Sequence, residues 1–445
     1  MQLRLIETFG DAEVASIFSE AAEIERWLAF ERALAQAQGE LGVIPTEAAA
    51  AIGREATAAK VDPGLLRERT RSVGYPILPL LEQVTVASSE LVGRYLHWGT
   101  TTQDVMDTGL ALALRDVLAR IEDLELILGG RLAELAREHR STVMPGRTHA
   151  QPAVPLSFGG KVAVLLAEVV RHVERLRAAR PRIAVVQLFG AAGTAAAMGA
   201  RSREIRERVA ALLGLGTADV PWHTARDTIV EAGFLLAAAA TTCGKIAREI
   251  IELSRPEIGE LVECREPGRG ASSTMPQKAN PIESEAISAL SGVATHQLGV
   301  LLAASRPEHE RSAGEWQLEW DALPLLATLA AGALGGTVRV LHGLEVFPQR
   351  MRANLELDGG TINAEAVMMA AARTLGRSRA HEAVHAACET ARVSGVPLRV
   401  VIAEDADLAA AVGPLDELLD PTRYLGETEA IVQSALERWS RARTG

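Results

Sequence analysis

The sequence predicts an all-α protein: an elongated body of long helices with smaller helical domains at its two ends. Three observations point there. From Asp107 to Arg140 the apolar residues Leu110, Leu114, Val117, Ile121, Leu124, Leu128, Leu132 and Leu135 recur at steps of three and four, the spacing of one helix face. Hydrophobic residues make up 48% of the chain but aromatics only 4%, so the core is built of Ala, Leu, Val and Ile, which suits closely packed helices. Further helical patterns run from about Pro155 to Ala179, Arg226 to Leu253, Ile282 to Ala304 and Leu323 to Leu341, with no alternating strands between them.

With 445 residues the chain suits two or three domains, or one long helical body with end pieces. The boundaries read as an N-terminal helical domain over 1–106, a long-helix body over 107–345 and a C-terminal helical cap over 346–445. Met1 to Glu13 mixes charged and apolar residues and lacks the pattern of a secretory leader. The uncharged run Ala322 to Val338 is short for a membrane span and contains Pro324, Gly332, Gly335 and Gly336, so it reads as a buried helix. Cys243, Cys264 and Cys388 are odd in number and far apart, which argues against a disulfide framework and for a reducing compartment. The expectation is a soluble, cytoplasmic protein with no membrane partner. A net charge of −11 disfavours nucleic acid while leaving room for a local basic pocket.

Two punctuated segments interrupt the helices and read as loops, Met144 to Pro155 and Glu266 to Pro281. The second has a legible design. Gly268 and Gly270 loosen the backbone, Ser272 and Ser273 supply hydroxyls and Lys278 a cation. Asn280 can cap the following helix, with Pro281 at its first position and Glu283 three after the cap. A helix start adds free N–H groups and the positive end of a dipole. Together these elements describe a flexible lid over an anion-binding base.

Ala271-Ser272-Ser273-Thr274-Met275-Pro276-Gln277-Lys278-Ala279-Asn280-Pro281 resembles the signature of the fumarase/aspartase superfamily, Gly-Ser-Ser-x-Met-Pro-x-Lys-x-Asn-Pro, with Ala271 in place of the leading Gly. His97-Trp-Gly-Thr-Thr-Thr-Gln-Asp-Val-Met-Asp-Thr108 and Met144-Pro-Gly-Arg-Thr-His-Ala-Gln-Pro152 resemble that family's two other motif regions, in the family's order. The resemblance implies a homotetramer with a central helical core, active sites shared between subunits and no cofactor or metal. It implies a di- or tricarboxylate substrate, from which a proton leaves the carbon beside one carboxylate while a group leaves the neighbouring carbon.

By the same resemblance Ser272, six residues before the Lys, is the general base, and His149 is the acid or charge stabiliser for the leaving group. Lys278 and Asn280 stabilise the dianionic aci-carboxylate. Thr101, Thr102 and Thr148 hydrogen-bond carboxylates, and Ser72 and Arg226 are further candidates for substrate contact. Arg311 is an alternative cation for a distal carboxylate.

Within the superfamily, Phe189-Gly-Ala-Ala-Gly-Thr194, Pro221-Trp-His-Thr-Ala-Arg-Asp227 and His309-Glu-Arg311 with Trp316 and Glu319-Trp320 resemble the 3-carboxy-cis,cis-muconate cycloisomerase group. Gln277 and Ala279 depart from that group, which usually has His and Arg there. A C–N lyase releasing fumarate from a substituted succinate, such as nitrosuccinate or adenylosuccinate, therefore stays open, as does an inactive structural relative. His381-Glu-Ala-Val-His385 has the spacing of a zinc-protease motif but no evident third ligand.

Overall fold

The computed structural model describes residues 4–264, 270, 274, 275, 277, 278, 280–312 and 314–444. The elements that position the site are, in chain order, α1 (Glu20–Glu40), α2 (Pro63–Val73), α3 (Thr102–Glu138), β1 (Val143–Thr148), β2 (Gln151–Ser157), α4 (Phe158–Ile183), α5 (Asp227–Leu253), β3 (Leu261–Val262), α6 (Ile282–Ala304), α7 (Leu318–His342), β4 (Glu345–Val346), α8 (Ala364–Leu375) and α9 (Arg377–Ser394). The long helices stand where the periodicity puts them. α3 begins five residues ahead of the apolar pattern, because Asp104 in its first turn accepts from the Thr100 hydroxyl and the Thr101 N–H. α7 likewise starts before Leu323, with Glu319 and Asp321 at the positive end of its dipole.

Two compact units emerge. The first comprises Met1–Glu125, His172–Gly244 and Ala286–Gly335. Its core gathers Trp27, Leu28, Phe30 and Leu34 of α1 with Ile77, Leu80, Ile205 and Val209. Ser19 caps α1 through the Ala22 N–H, and Asp62 caps α2 ahead of a proline at its first position. The second unit comprises Leu126–Arg171, Lys245–Glu285 and Gly336–Gly445. One of its clusters joins Val367 and Ala371 of α8 to Val384 of α9 and to Leu398, Ile402 and Leu408. The boundary drawn at 106 falls inside the first turns of α3 and the one at 345 at the start of β4, whereas the compact units divide the long helices α3 to α7 within their lengths.

The segment read as a loop from Met144 to Pro155 is instead a β-hairpin, with Val143 opposite Ser157 and Thr148 opposite Gln151. Its prolines hid it. A two-stranded ribbon is all edge, so residues without an N–H are tolerated. A short antiparallel pair also joins Leu261 to Val346 and Val262 to Glu345.

By length and composition alone, three described helical stretches reach what a membrane crossing needs: Asp227–Leu253, Ile282–Ala304 and Glu315–His342. Their apolar windows are 61%, 33% and 72% buried within the chain, so α6 is the one left with a largely uncovered apolar surface.

Candidate active site

In the first unit, the turn into α3 is fixed by one buried carboxylate. Asp104 accepts from the Thr100 hydroxyl at 3.1 Å, the Phe189 N–H at 3.0 Å and the Gly190 N–H at 2.9 Å. Burial pushes its carboxyl up, while these donors pull it back. The Phe189–Thr194 loop is thereby stitched to the helix start. Thr101 and Thr102 sit half-buried at that start, and their hydroxyls make no hydrogen bond among the described residues. His97, in a left-handed conformation (φ 63), meets the buried Glu31 carboxylate at 2.5 Å through Nδ1. Burial alone would depress this imidazole, but the charge of Glu31 lifts it above its ordinary value.

The two arginines left open by the sequence have different surroundings. Arg226 is 2% exposed. Its guanidinium donates to Asp107 at 2.8 Å and grips Glu319 with Nε at 2.9 Å and with Nη2. Burial pushes the Asp107 carboxyl up to about 7 despite the cation beside it. Arg226 is thus occupied by two buried carboxylates. Arg311 is half-buried and donates to the Gln103 side chain and, at 2.7 Å, to the Ala191 carbonyl. No carboxylate among the described residues pairs with it. Ser72 is exposed near the end of α2.

His223 is buried, with Nδ1 3.3 Å from the Gln187 amide and Nε2 outside hydrogen-bond reach of any described side chain. Burial depresses it, though the Glu310 backbone pulls the other way. Gly193 (φ +79) lets its loop close onto this ring, since a Cβ there would lie 3.0 Å from His223 Cε1. Trp222 hydrogen-bonds through its indole to the Val186 carbonyl and lies under Arg226, so it packs the interior; Trp98 is exposed.

In the second unit, β1 and β2 are joined by His149 and Ala150 alone. Both have positive φ, 51° and 62°, as a tight two-residue hairpin of the I′ kind requires. Neither is the glycine or asparagine that such a turn prefers, so the backbone spends energy to present Thr148 and His149, both exposed, their side chains making no hydrogen bond among the described residues. A register shift between Gly146 and Arg147 re-aims the strand just before them. Arg147 then forks onto Glu260, at 2.7 and 2.9 Å, and Asn354 donates to the same carboxylate at 2.7 Å. Glu260 is 0% exposed.

Ser272 and Ser273 lie outside the described residues. Lys278 is exposed, its N–H bonded to the Met275 carbonyl. Asn280 does not cap α6. Its backbone and side-chain N–H groups both donate to the Gly270 carbonyl at 3.1 Å, closing the loop's base. The cap comes from Glu263, whose carboxylate accepts from the Glu283 and Ser284 N–H groups at 3.0 Å each and from the Ser284 hydroxyl at 2.7 Å. The expectation of free N–H groups at this helix start is therefore corrected at those two residues. A carboxylate twenty residues upstream satisfies them, a partner that local spacing does not reveal.

Ser72, Thr101, Thr102 and Arg226 thus belong to the first unit, and Thr148, His149, Lys278 and Asn280 to the second. Sequence reasoning missed Glu31, Asp104, Glu260 and Glu263, because each acts across a long sequence separation. His381 and His385 stack at 6.2 Å, and no group of three potential ligands suited to a metal occurs among the described residues.

A family model described as lyase matches residues 10–295, and one described as adenylosuccinate lyase C-terminus matches residues 360–435. The chain belongs to the fumarase/aspartase superfamily. It is an enzyme of that superfamily. It is 42% identical to a 3-carboxy-cis,cis-muconate cycloisomerase of Pseudomonas aeruginosa, over 96% of this chain and 94% of that protein. It is 36% identical to trans-aconitate decarboxylase 1 of Mycosarcoma maydis, over 98% and 89%. The crystal structure of a 3-carboxy-cis,cis-muconate lactonizing enzyme from Pseudomonas putida superposes with a TM-score of 0.92 at 37% identity, covering 98% of this chain and 99% of that one.

Proposed function

We propose that this superfamily member is a cofactor-independent cycloisomerase that closes 3-carboxy-cis,cis-muconate to its lactone in the breakdown of aromatic acids. The observation that carries this reading is Arg311, a half-buried guanidinium without an acidic partner among the described residues. It is held by Gln103, the residue after Thr102, where the Thr101 and Thr102 hydroxyls are also open. A cation and hydroxyl donors left open together suit a substrate with several carboxylates. Similarity to cycloisomerases along nearly the whole chain favours this substrate over other polycarboxylates.

In the reaction a carboxylate oxygen of the substrate bonds to an alkene carbon. The displaced electron pair moves to the carbon beside another carboxylate, giving a dianionic aci-carboxylate, and a proton then joins that carbon. No group leaves. Ser272 handles this proton, as base in the elimination direction and donor in this one. Lys278 and the backbone N–H groups of its loop stabilise the dianion. His149, presented on its strained turn, donates to the reacting carboxylate, and Thr101, Thr102 and Thr148 hold the others.

The same reading includes a homotetramer in which several copies build each site. The largely uncovered apolar surface of α6 supports this, since contiguous exposed apolar surface marks a face that packs against a partner. A cytoplasmic location without a membrane or nucleic-acid partner completes it.

The test is an ultraviolet assay of purified protein with 3-carboxy-cis,cis-muconate in one cuvette and substituted succinates in others. Rapid loss of the muconate, abolished in Ser272→Ala and His149→Ala, is the expected result. Fumarate release from a succinate without muconate turnover makes the chain a C–N or related lyase, with Gln277 and Ala279 as the changed positions. No turnover of any substrate marks an inactive structural relative.

A further inference from the structure

Gln103 stands in the first turn of α3, directly after Thr102, and is 2% exposed. Its side-chain nitrogen donates to Asp107 Oδ2 at 3.1 Å and to the His223 carbonyl at 2.9 Å, and its oxygen accepts from Nη1 of Arg311. Both N–H donors of the amide are therefore in use. A flipped amide would set its oxygen against a carboxylate and a carbonyl, and its N–H groups against a guanidinium. Only one orientation satisfies the site, and in it the amide oxygen faces Arg311.

What fixes this orientation lies deeper. Asp107 follows Gln103 by one helical turn, and its Oδ2 also accepts from Arg226 at 2.8 Å. Arg226 in turn grips Glu319 of α7. None of these three charged groups is more than 3% exposed. A line of hydrogen bonds thus runs from an ion cluster in the interior, through one neutral amide, to the half-buried Arg311. All of these residues belong to the first unit.

Arg311 is held at a second point, where Nη2 donates to the Ala191 carbonyl at 2.7 Å. Both anchors are uncharged. A carboxylate in either place would hold the guanidinium as firmly and would also cancel its charge. An amide oxygen and a carbonyl oxygen fix the geometry and leave the charge for another partner. The other N–H groups of Arg311 make no hydrogen bond among the described residues.

We infer that Gln103 is a positioning residue: it holds the Arg311 guanidinium ready for a substrate carboxylate without neutralising it. The inference rests on the reading that Arg311 binds such a carboxylate, and it names the group that makes this binding strong. A long arginine side chain loses rotamer freedom when it grips a ligand, and one already held at two points loses less. Gln103 acts through Arg311 and takes no part in proton transfer, so its effect falls on substrate affinity.

The test is steady-state kinetics of the intact protein on whichever substrate the wild type turns over in the ultraviolet assay. Gln103→Met keeps the length of the side chain and removes its hydrogen bonds, and raises KM about tenfold while kcat changes far less. Gln103→Glu sets a carboxylate against Arg311 and raises KM at least to the level of Arg311→Gln. In the Arg311→Gln background, Gln103→Met adds nothing further to KM, although its effect on the melting temperature persists. Arg311→Lys keeps the charge but cannot span both anchors, and its KM stays near that of Arg311→Gln. This last variant leaves the buried position untouched, which preserves the test should the Gln103 variants misfold. An unchanged KM in Gln103→Met, a full further rise in the double variant, or a wild-type KM in Arg311→Lys would each overturn the inference. An unchanged KM in Arg311→Gln would overturn the reading beneath it, and no turnover of any substrate by the wild type would overturn both.

Discussion

Glu125 lies within α3, is 1% exposed, and neither of its carboxylate oxygens has a hydrogen-bond partner among the described residues. Burial alone pushes its carboxyl from 4.5 up to about 8, with no neighbouring charge contributing. The folded chain therefore holds this proton more tightly than the unfolded chain does. Below pH 4.5 the group is neutral in both states and costs nothing by ionisation. Between 4.5 and about 8 the unfolded chain gains by ionising and the folded one does not, so stability falls as pH rises. Each pH unit is worth about 1.4 kcal/mol, so the loss is about 3 kcal/mol at pH 7 and about 5 kcal/mol above pH 8. Glu125→Gln removes the titration while keeping the shape. Scanning calorimetry of both proteins at pH 5 and pH 8.5 isolates the group, because every other titration cancels in the difference between them. With an unfolding entropy of about 2 cal/mol/K per residue, the advantage of the variant should grow by roughly 5 °C across that range. A difference between the two proteins that is the same at both pH values would refute the reasoning, since it would mean that Glu125 is ionised in the folded state.

The two arginines should separate cleanly. Arg226→Gln strands two buried carboxylates and should destabilise the fold by about 3–5 kcal/mol in urea unfolding. Arg311→Gln should leave stability nearly unchanged while lowering kcat/KM on the muconate by about tenfold or more. Glu263→Ala removes the cap of α6 and should cost about 1–2 kcal/mol by the same unfolding assay. Glu260→Gln leaves Arg147 without its carboxylate, and should lower both the melting temperature and kcat; a double change to Glu260→Leu with Arg147→Met should restore the first and not the second, if the pair aims His149.

How much was legible follows from the range of each interaction. The long helices were plain because their signal, an apolar residue every three or four positions, is local and repeats many times along α3. The β1–β2 hairpin was not, because Pro145, Pro152 and Pro155 read as breakers and the turn lacks the glycine or asparagine that usually announces it. Thr148 and His149 were found through motif resemblance, yet nothing in the motif tells that a positive φ lifts His149 out of the strand. Arg226 and Arg311 look alike as letters, and only the carboxylates of Asp107 and Glu319 distinguish them. Asn280 had the right residue type for a cap at the right place. Glu263 took the role because a full charge binds two N–H groups more strongly than a neutral amide does.

Glu260 and Glu263 share a logic. They flank the two residues of β3, three positions apart, and along an extended strand an odd separation points side chains to opposite faces. One carboxylate reaches Arg147 at the base of the His149 turn, and the other reaches the first turn of α6, just beyond Lys278 and Asn280. The pairing of β3 with β4 fixes the strand between them. A shift of this short segment would therefore move the histidine turn and the end of the signature loop together. A reaction that places a proton on one carbon while a bond forms at the next needs both kept in register to a fraction of an ångström. Buried, fully hydrogen-bonded carboxylates on a paired strand hold such a register better than flexible loops alone, and this is why Glu260, far from any motif, belongs among the residues to change when the chemistry is probed.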